Sequence, residues 1–319
     1  MSTTSRLAAL AAVTVVAGLL AGPGPAYAAD TSTALTATEM AAALRLAVTP
    51  SEAAARGGYR AAVTVKGLTP GSLLSVVDPV GGRGYLSLRI AGMSLLEFVV
   101  DHRGTYDNLT DSRSRAALRM MRRQAMRFEF MSRPTLSLSQ WAAEGGTSPA
   151  TALTEDVKHA GTRTVHDDGS LDYTYTDADR TDVTVSISAA GTLTSEHAQG
   201  TGMTATLTYT YGRQRVTLPT ATATISSTVL HHGLTYLDMD VNVKSAAHAA
   251  ASGRHPSTAS VRTAARRTAT LENRGAGMSF IKVKDVRHGA RLSATNPWTH
   301  RTVAYTVTIS GSRAVVRRA

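Results

Sequence analysis

The chain has 319 residues and no cysteine, which excludes disulfide frameworks, thiolate metal sites and a lipid-modified N-terminal cysteine, and leaves a hydrophobic core to hold the fold. Its formal net charge is +11, from 34 Lys+Arg against 23 Asp+Glu. The excess is concentrated: from Asn242 onward there are 14 basic and 2 acidic residues, whereas the residues before it carry 20 and 21.

Residues 1–28 read as a secretory signal peptide. Arg6 is a short basic start, Leu7 to Leu20 is an apolar run too short to span a bilayer, and Ala26-Tyr27-Ala28 is a small-x-small cleavage site. A secreted, extracytoplasmic protein is expected, and one that is not membrane-spanning. Arginine outnumbers lysine 29 to 5, in keeping with a GC-rich, actinobacterial type of genome.

Ala29 to Leu35 reads as a polar tail. Thr36 and Glu39 form a capping box ahead of Met40 and Leu44 at helical spacing. Thr49-Pro50-Ser51-Glu52 is a second helix start, stopped by Gly57-Gly58. Strands are predicted from Tyr59, over Ser72–Val77, Tyr85–Ile90 and Leu95–Val100, and over Gly104–Asp107. The period then changes. Ala117, Met120, Met121, Gln124, Met126, Phe128 and Met131 predict one helix over Ser112–Ser132. Leu136–Trp141 and Pro149–Ala160 read as shorter helical pieces, with Asp156 and Lys158 keeping the second amphipathic.

From Arg163 to Pro219 apolar and polar residues alternate, the mark of strands with one buried face. Met203, Ala205, Leu207, Tyr209 and Tyr211 make the longest row, with Thr204, Thr206, Thr208 and Thr210 facing away. Asp167-Asp168-Gly169, Asp177-Ala178-Asp179, Ala190-Gly191 and Gly200-Thr201-Gly202 supply the turns of an antiparallel meander.

Several motifs carry a resemblance. A Gly-Thr-x-Thr-Val run (Gly161 to Val165) precedes a strand ending in Tyr. A second strand ends at the Gly191 turn. Tyr211, Gly212, Val216 and Pro219 close the region. Over about Thr36 to Pro219 this resembles the LolA-like half-barrel family, in its actinobacterial branch of LppX- and LprG-type proteins. The resemblance implies an α+β fold: a curved antiparallel β-sheet half-barrel wrapped on helices, holding acyl chains or lipid-modified peptides between sheet and helices. The cavity lining it implies comprises Val63, Val65, Leu86, Leu88 and Phe98 from the first strands and Trp141 beyond them. Tyr173, Val185, Leu207 and Tyr209 come from the meander. Met120, Met121, Met126 and Met131, with Phe128 and Phe130, would form an adaptable lid, since methionine suits variable apolar partners; the competing reading is an ordinary packed helix.

After a bridge over 221–243, strand-like from Leu230 to Val243, residues 244–319 read as a small basic α+β domain: a helix over Ser257–Glu272, then strands at Met278–Val286, Ala290–Thr295, Thr302–Ile309 and Ala314–Arg317. Arg262, Arg266, Arg267, Lys282 and Lys284 are its candidate anion-binding residues, for an anionic envelope surface rather than nucleic acid.

Asp167, Asp168, Asp172, Asp177, Asp179 and Asp182 crowd together, but aspartate is what hairpin turns use and no calcium-loop spacing is present. Ser279-Phe280-Ile281-Lys282 matches the S-x-x-K of serine penicillin-recognising enzymes by spacing alone, in a predicted strand where that serine should open a helix, and the K-T-G partner is absent. His231-His232 lacks carboxylates at useful spacing. No catalytic residue, metal or cofactor is therefore assigned. The expected function is a non-enzymatic binding protein holding a lipid or acylated ligand in the half-barrel (36–220), with the basic domain docking to the envelope. The alternative is an envelope sensor that binds a protein partner through a collapsed cavity.

Overall fold

The structure, a computed structural model, describes residues 30–67, 69–145, 147–154, 158–253 and 256–319. The signal segment over 1–28 and Asp156 lie outside the described residues.

In chain order the elements are β1 (Thr31–Leu35), α1 (Ala37–Leu46), α2 (Val48–Ala55), β2 (Tyr59–Gly67), β3 (Gly71–Asp78), β4 (Arg83–Ile90), β5 (Met93–Val100) and β6 (Gly104–Asn108). Then come α3 (Ser112–Met120), β7 (Phe128–Ser132), α4 (Leu138–Glu144) and α5 (Pro149–Thr154). The meander is β8 (Gly161–Val165), β9 (Leu171–Thr176), β10 (Asp182–Ile187), β11 (Leu193–Gly200) and β12 (Met203–Tyr211). Beyond it lie β13 (Thr224–Ser226), α6 (Ser227–Leu237), α7 (Met239–Ala251), α8 (Thr258–Ala276), β14 (Lys282–Val286), β15 (Gly289–Thr295), β16 (Thr302–Ser310) and β17 (Arg313–Arg318).

The chain divides into two compact units. The first runs to Asp107 and resumes over Ser132–Leu218; the second comprises Asn108–Met131 and Pro219–Ala319.

The first unit is built on a curved, unclosed antiparallel sheet in the order β1-β8-β9-β10-β11-β12-β2-β3-β4-β5-β6. Two meanders meet where β12 pairs with β2, from Tyr211↔Tyr59 to Met203↔Gly67. One face is lined by α1, α2, α4 and α5. Met40 and Leu44 of α1 are fully buried, and Trp141, Leu138 and Leu153 complete the layer against Ala61, Val77, Val99, Tyr173, Val185 and Tyr209. The predicted capping box is made: Glu39 N–H donates to Thr36 Oγ1 at 3.3 Å, and Thr36 N–H to Glu39 Oε2 at 2.8 Å. The acidic run serves its turns. Asp168 accepts from Ser170 N–H, Asp177 from Asp179 and Thr181 N–H, and Asp182 from Thr176 Oγ1.

The second unit packs α7 and α8 on one face of a four-stranded sheet ordered β14-β15-β16-β17. A smaller cluster joins Leu109, Ala117, Leu118, Met121, Ile225 and Leu230, and β13 runs parallel to β7 within this unit.

Four expectations are corrected. The residues read as a polar tail form β1, because Thr31–Leu35 finds the free edge of β8 far along the chain. The single helix over Ser112–Ser132 ends at Met120. Arg122 is left-handed at φ 59°, and Phe128-Glu129-Phe130 continue as strand, where alternating aromatics fit a pleat. Leu230–Val243 is helical, because Ser226 caps α6 by accepting from Val229 N–H and Leu230, Leu234 and Leu237 recur at helical spacing. The strand expected from Met278 begins at Lys282, since Asn273 holds the preceding residues: its Oδ1 accepts from Phe280 and Ile281 N–H, and its Nδ2 donates to Ile281 O.

Candidate ligand site

The strand registers sort the helix-covered face of the first unit into rows that cross β12, β2, β3, β4 and β5. The deepest is Tyr211–Tyr59–Val77–Gly84–Val99, and the next is Tyr209–Ala61–Ser75–Leu86–Glu97. Then come Leu207–Val63–Leu73–Leu88–Leu95 and, outermost, Ala205–Val65–Gly71–Ile90–Met93. The helix-packed core takes in the first two rows and, of the third, only Leu207 at its β12 end. Ala61, Ser75 and Val99 are fully buried, whereas Leu95 is 38 % and Met93 57 % exposed at the far end. The outer two rows contain no polar side chain and lie half-buried to exposed.

This arrangement sorts the sequence-predicted residues. Trp141, Tyr173, Val185 and Tyr209 are buried in the core, with Leu86 and Leu207 packed against it. Val63, Val65 and Leu88 lie in the uncovered rows. Phe98 is corrected. It points to the opposite face, where its ring lies 5.0 Å from that of Tyr85, its register partner. In the run Leu95-Leu96-Glu97-Phe98-Val99 the covered face is the one that carries the acid, so alternation points Phe98 inward wrongly; the bare backbone of Gly84 decides the face, by seating Val99 and Trp141. A Cβ there would meet Trp141 Cζ3 at 2.5 Å and Val99 Cγ1 at 2.6 Å.

Met120, Met121 and Met126 are also corrected. They pack within the second unit, around Leu118, Ile225 and Leu230, as the ordinary packed side chains of the competing reading. Met121 presses on α6 at Gly233, where a Cβ would sit 2.6 Å from its Cε, and Asn296 Nδ2 donates to Met120 Sδ at 2.9 Å.

Polar groups cluster at the covered end of the face; Tyr209 is expected there from the sequence, but only as an apolar body in an alternating strand, and Tyr59, Ser75 and Thr147 are not expected there. Thr147 Oγ1 donates to Ser75 Oγ at 3.0 Å, and Ser51 Oγ accepts from Leu193 N–H at 2.9 Å. The rings of Tyr59 and Tyr209 lie 6.2 Å apart, those of Tyr209 and Tyr211 6.1 Å apart. Burial pushes the Tyr59 and Tyr211 phenols up to about 12 and raises Tyr209 as well, so all three stay protonated; Tyr209 donates to Thr147 O at 3.4 Å. Glu97 accepts from Trp141 Nε1 at 3.1 Å; burial first, then the nearby Asp107 charge, raises its carboxyl above the usual range.

Hollows occur elsewhere. One of about 280 Å³ lies on the opposite face of the sheet, lined by Thr64, Lys66, His197, Thr204 and Thr206. Another of about 270 Å³ lies in the second unit beside His231, Leu271 and Glu272. Neither gathers a nucleophile, base and oxyanion donors. Among the described residues no helix is long and apolar enough to cross a membrane, and no group of three or more His, Asp or Glu is placed to hold a metal.

The predicted anion-binding residues also separate. Arg266 donates twice to Asp285 at 2.8 Å, and Arg262 donates to Val286 O and Gly289 O at 2.9 and 3.1 Å. Both are spent fixing α8 to the β14–β15 turn, which corrects their assignment as a free anion site. Arg267, Lys282 and Lys284 remain exposed.

No protein-family model matches the sequence, and no curated protein matches it. Among solved structures the chain is similar to an uncharacterized conserved protein from Thermus thermophilus, at 8 % identity and TM-score 0.30, covering 56 % of this chain and 96 % of that one. It is similar to the lipoprotein LppX of Mycobacterium tuberculosis at 13 % identity and TM-score 0.29, covering 56 % and 99 %. LprF from Mycobacterium bovis gives 10 % identity and TM-score 0.29, over 56 % and 96 %.

Proposed function

We propose that the first unit binds a lipid or acylated ligand, with its acyl chain laid across the uncovered rows from Leu207 to Leu95 and from Ala205 to Met93. The observation that carries this reading is the change in exposure along one apolar face, from fully buried Ala61 and Ser75 to the 57 % exposed Met93. A contiguous apolar strip left in water on a stable domain is a site for an apolar partner. Each methylene moved from water onto it contributes roughly 0.8 kcal/mol, so a long acyl chain gains on the order of 10 kcal/mol if fully covered. No chemical step is assigned: the chain acts by binding. In the same reading the protein works outside the cytoplasm after loss of residues 1–28, and the basic second unit docks to the anionic envelope.

The test is extraction and mass spectrometry of lipid from purified protein re-exposed to native membranes, together with titration of a fluorescent fatty acid. We expect stoichiometric lipid, and a loss of about tenfold or more in probe affinity for Leu88→Asp. Protein free of lipid, with a probe affinity that Leu88→Asp leaves unchanged, refutes the reading. A second reading, an envelope sensor that seats a protein partner on the same strip, is favoured by one observation: the helices fill the two deep rows, so the strip is a surface. A stoichiometric protein partner in place of lipid would select it.

A further inference from the structure

The open face of the four-stranded sheet in the second unit is charged in an unusual way. Alternation places Leu292, Val303, Tyr305 and Val307 on the side covered by α7 and α8. The other side carries Lys282 and Lys284 from β14, Arg291 from β15, and Arg313 and Arg317 from β17, all exposed. The registers Lys284↔Arg291, Arg291↔Thr306 and Thr306↔Arg317 put three of these cations in one row across the sheet. Lys284 and Arg291 are direct cross-strand neighbours. Like charges so placed destabilise a sheet.

Nothing on this face offsets them. From Gly277 to the end the chain has eight Lys+Arg and one acid, Asp285. Asp285 sits beside α8, held by Arg266 at 2.8 Å and near Arg262 at 3.6 Å. None of the five cations makes an ion pair among the described residues. The sheet thus keeps its single carboxylate for α8 and leaves its open side uniformly positive.

The geometry points to this face as the docking surface of the protein, and to a planar anionic lipid surface as its occupant. The inference rests on the docking half of the reading above and gives it a location. The array is two-dimensional. At a strand spacing of about 4.8 Å, the row from Lys284 to Arg317 spans about 14 Å, and Lys282 and Arg313 extend it along the strands. Val286 and Val315 lie among the cations, half-buried. A flat patch of cations around small apolar side chains matches a plane of anionic headgroups. A linear polyanion would be better served by cations lined along one groove.

The experiment uses the full chain without residues 1–28 and vesicles of phosphatidylcholine with increasing phosphatidylglycerol. We expect sedimentation with vesicles to rise with the anionic fraction. The variant K282Q/K284Q/R291Q/R313Q/R317Q should lose about a hundredfold or more in partition coefficient. A control, R45Q/R56Q/R60Q/K66Q/R89Q, removes the same charge from exposed positions of the first unit and should stay within about threefold of the parent. Lys284→Glu is the sharper variant. It places opposite charges across β14–β15, so it should raise the melting temperature by about 1–3 °C while weakening vesicle binding, which a loss of folding cannot mimic. The inference is overturned if the sheet variant binds like the parent, if the control loses as much, or if soluble polyphosphate binds and vesicles do not. Fatty-acid titration of the same variants keeps the two readings apart, because the sheet variant should retain full probe affinity.

Discussion

Glu97 shows how one residue reports on the helix-covered end of the sheet face. It is a carboxyl among apolar neighbours, held by Trp141 Nε1, and its pKa is raised by burial and by Asp107. An acid whose folded pKa exceeds its unfolded value stabilises the fold while protonated; that contribution fades as pH rises through the unfolded value toward the folded one. Glu97→Gln keeps the indole partner and removes the charge. Its melting temperature relative to the parent should therefore improve as pH rises from about 4 through the range where the carboxyl titrates in the fold, and a pH-independent difference in a thermal-unfolding series would contradict the account. Gly84 is the opposite kind of position, important for what it lacks. Gly84→Ala puts a methyl into Trp141 and Val99, and should cost about 1–3 kcal/mol in denaturant unfolding, with near-ultraviolet circular dichroism reporting a displaced indole. Neither role is legible in sequence. A glycine in Arg-Gly-Tyr-Leu is ambiguous until the helix above it is placed.

Elements differ in how much of themselves the sequence specifies. The hairpins of the meander were legible because alternation and Asp/Gly turns agree at each step. β1 was not, because its five residues are held by pairing with β8 and by His166, which bridges Asp30 at 3.1 Å and Asp172 at 3.0 Å. The hydrogen bond to Asp172, then that to Asp30, raises the His166 pKa. A histidine whose folded pKa is raised stabilises below its unfolded value and stops doing so as pH rises through the folded one. Amide exchange in β1 should therefore quicken relative to β9 between about pH 6 and 8, after correction for intrinsic rates, and His166→Gln should remove that pH dependence. At the other end, Asn273 replaces three backbone partners for Phe280 and Ile281. Asn273→Ala should destabilise the protein by about 1–3 kcal/mol, read as a lowered denaturation midpoint, since two buried N–H groups lose their acceptor.

At the scale of the molecule, apolar attraction and charge are assigned to different units. In the proposed reading the uncovered rows of the first unit would hold a ligand by burial, and the open sheet face of the second would dock by Coulomb attraction, which salt screens. Raising NaCl from about 0.1 to 1 M shortens the Debye length from about 10 to 3 Å. Vesicle binding should then fall by at least tenfold, while fatty-acid affinity stays within about twofold. Parallel loss of both would show that one surface serves both partners.

The sequence by itself determined the alternating strands, their turns, the capping of α1, the acidic hairpins and the concentration of positive charge after Asn242. Each is a local pattern, set by side-chain period or by composition. Tertiary structure decided the rest. It turned Phe98 to the other face, carried Met120, Met121 and Met126 into the second unit, and consumed Arg262 and Arg266 in holding α8 to its sheet. It also chose where the helices stop on the face from Tyr211 to Met93. The physical reason is common to all of these. Period and charge say what a side chain can do, but the free energy of burying or pairing it depends on which distant element arrives opposite.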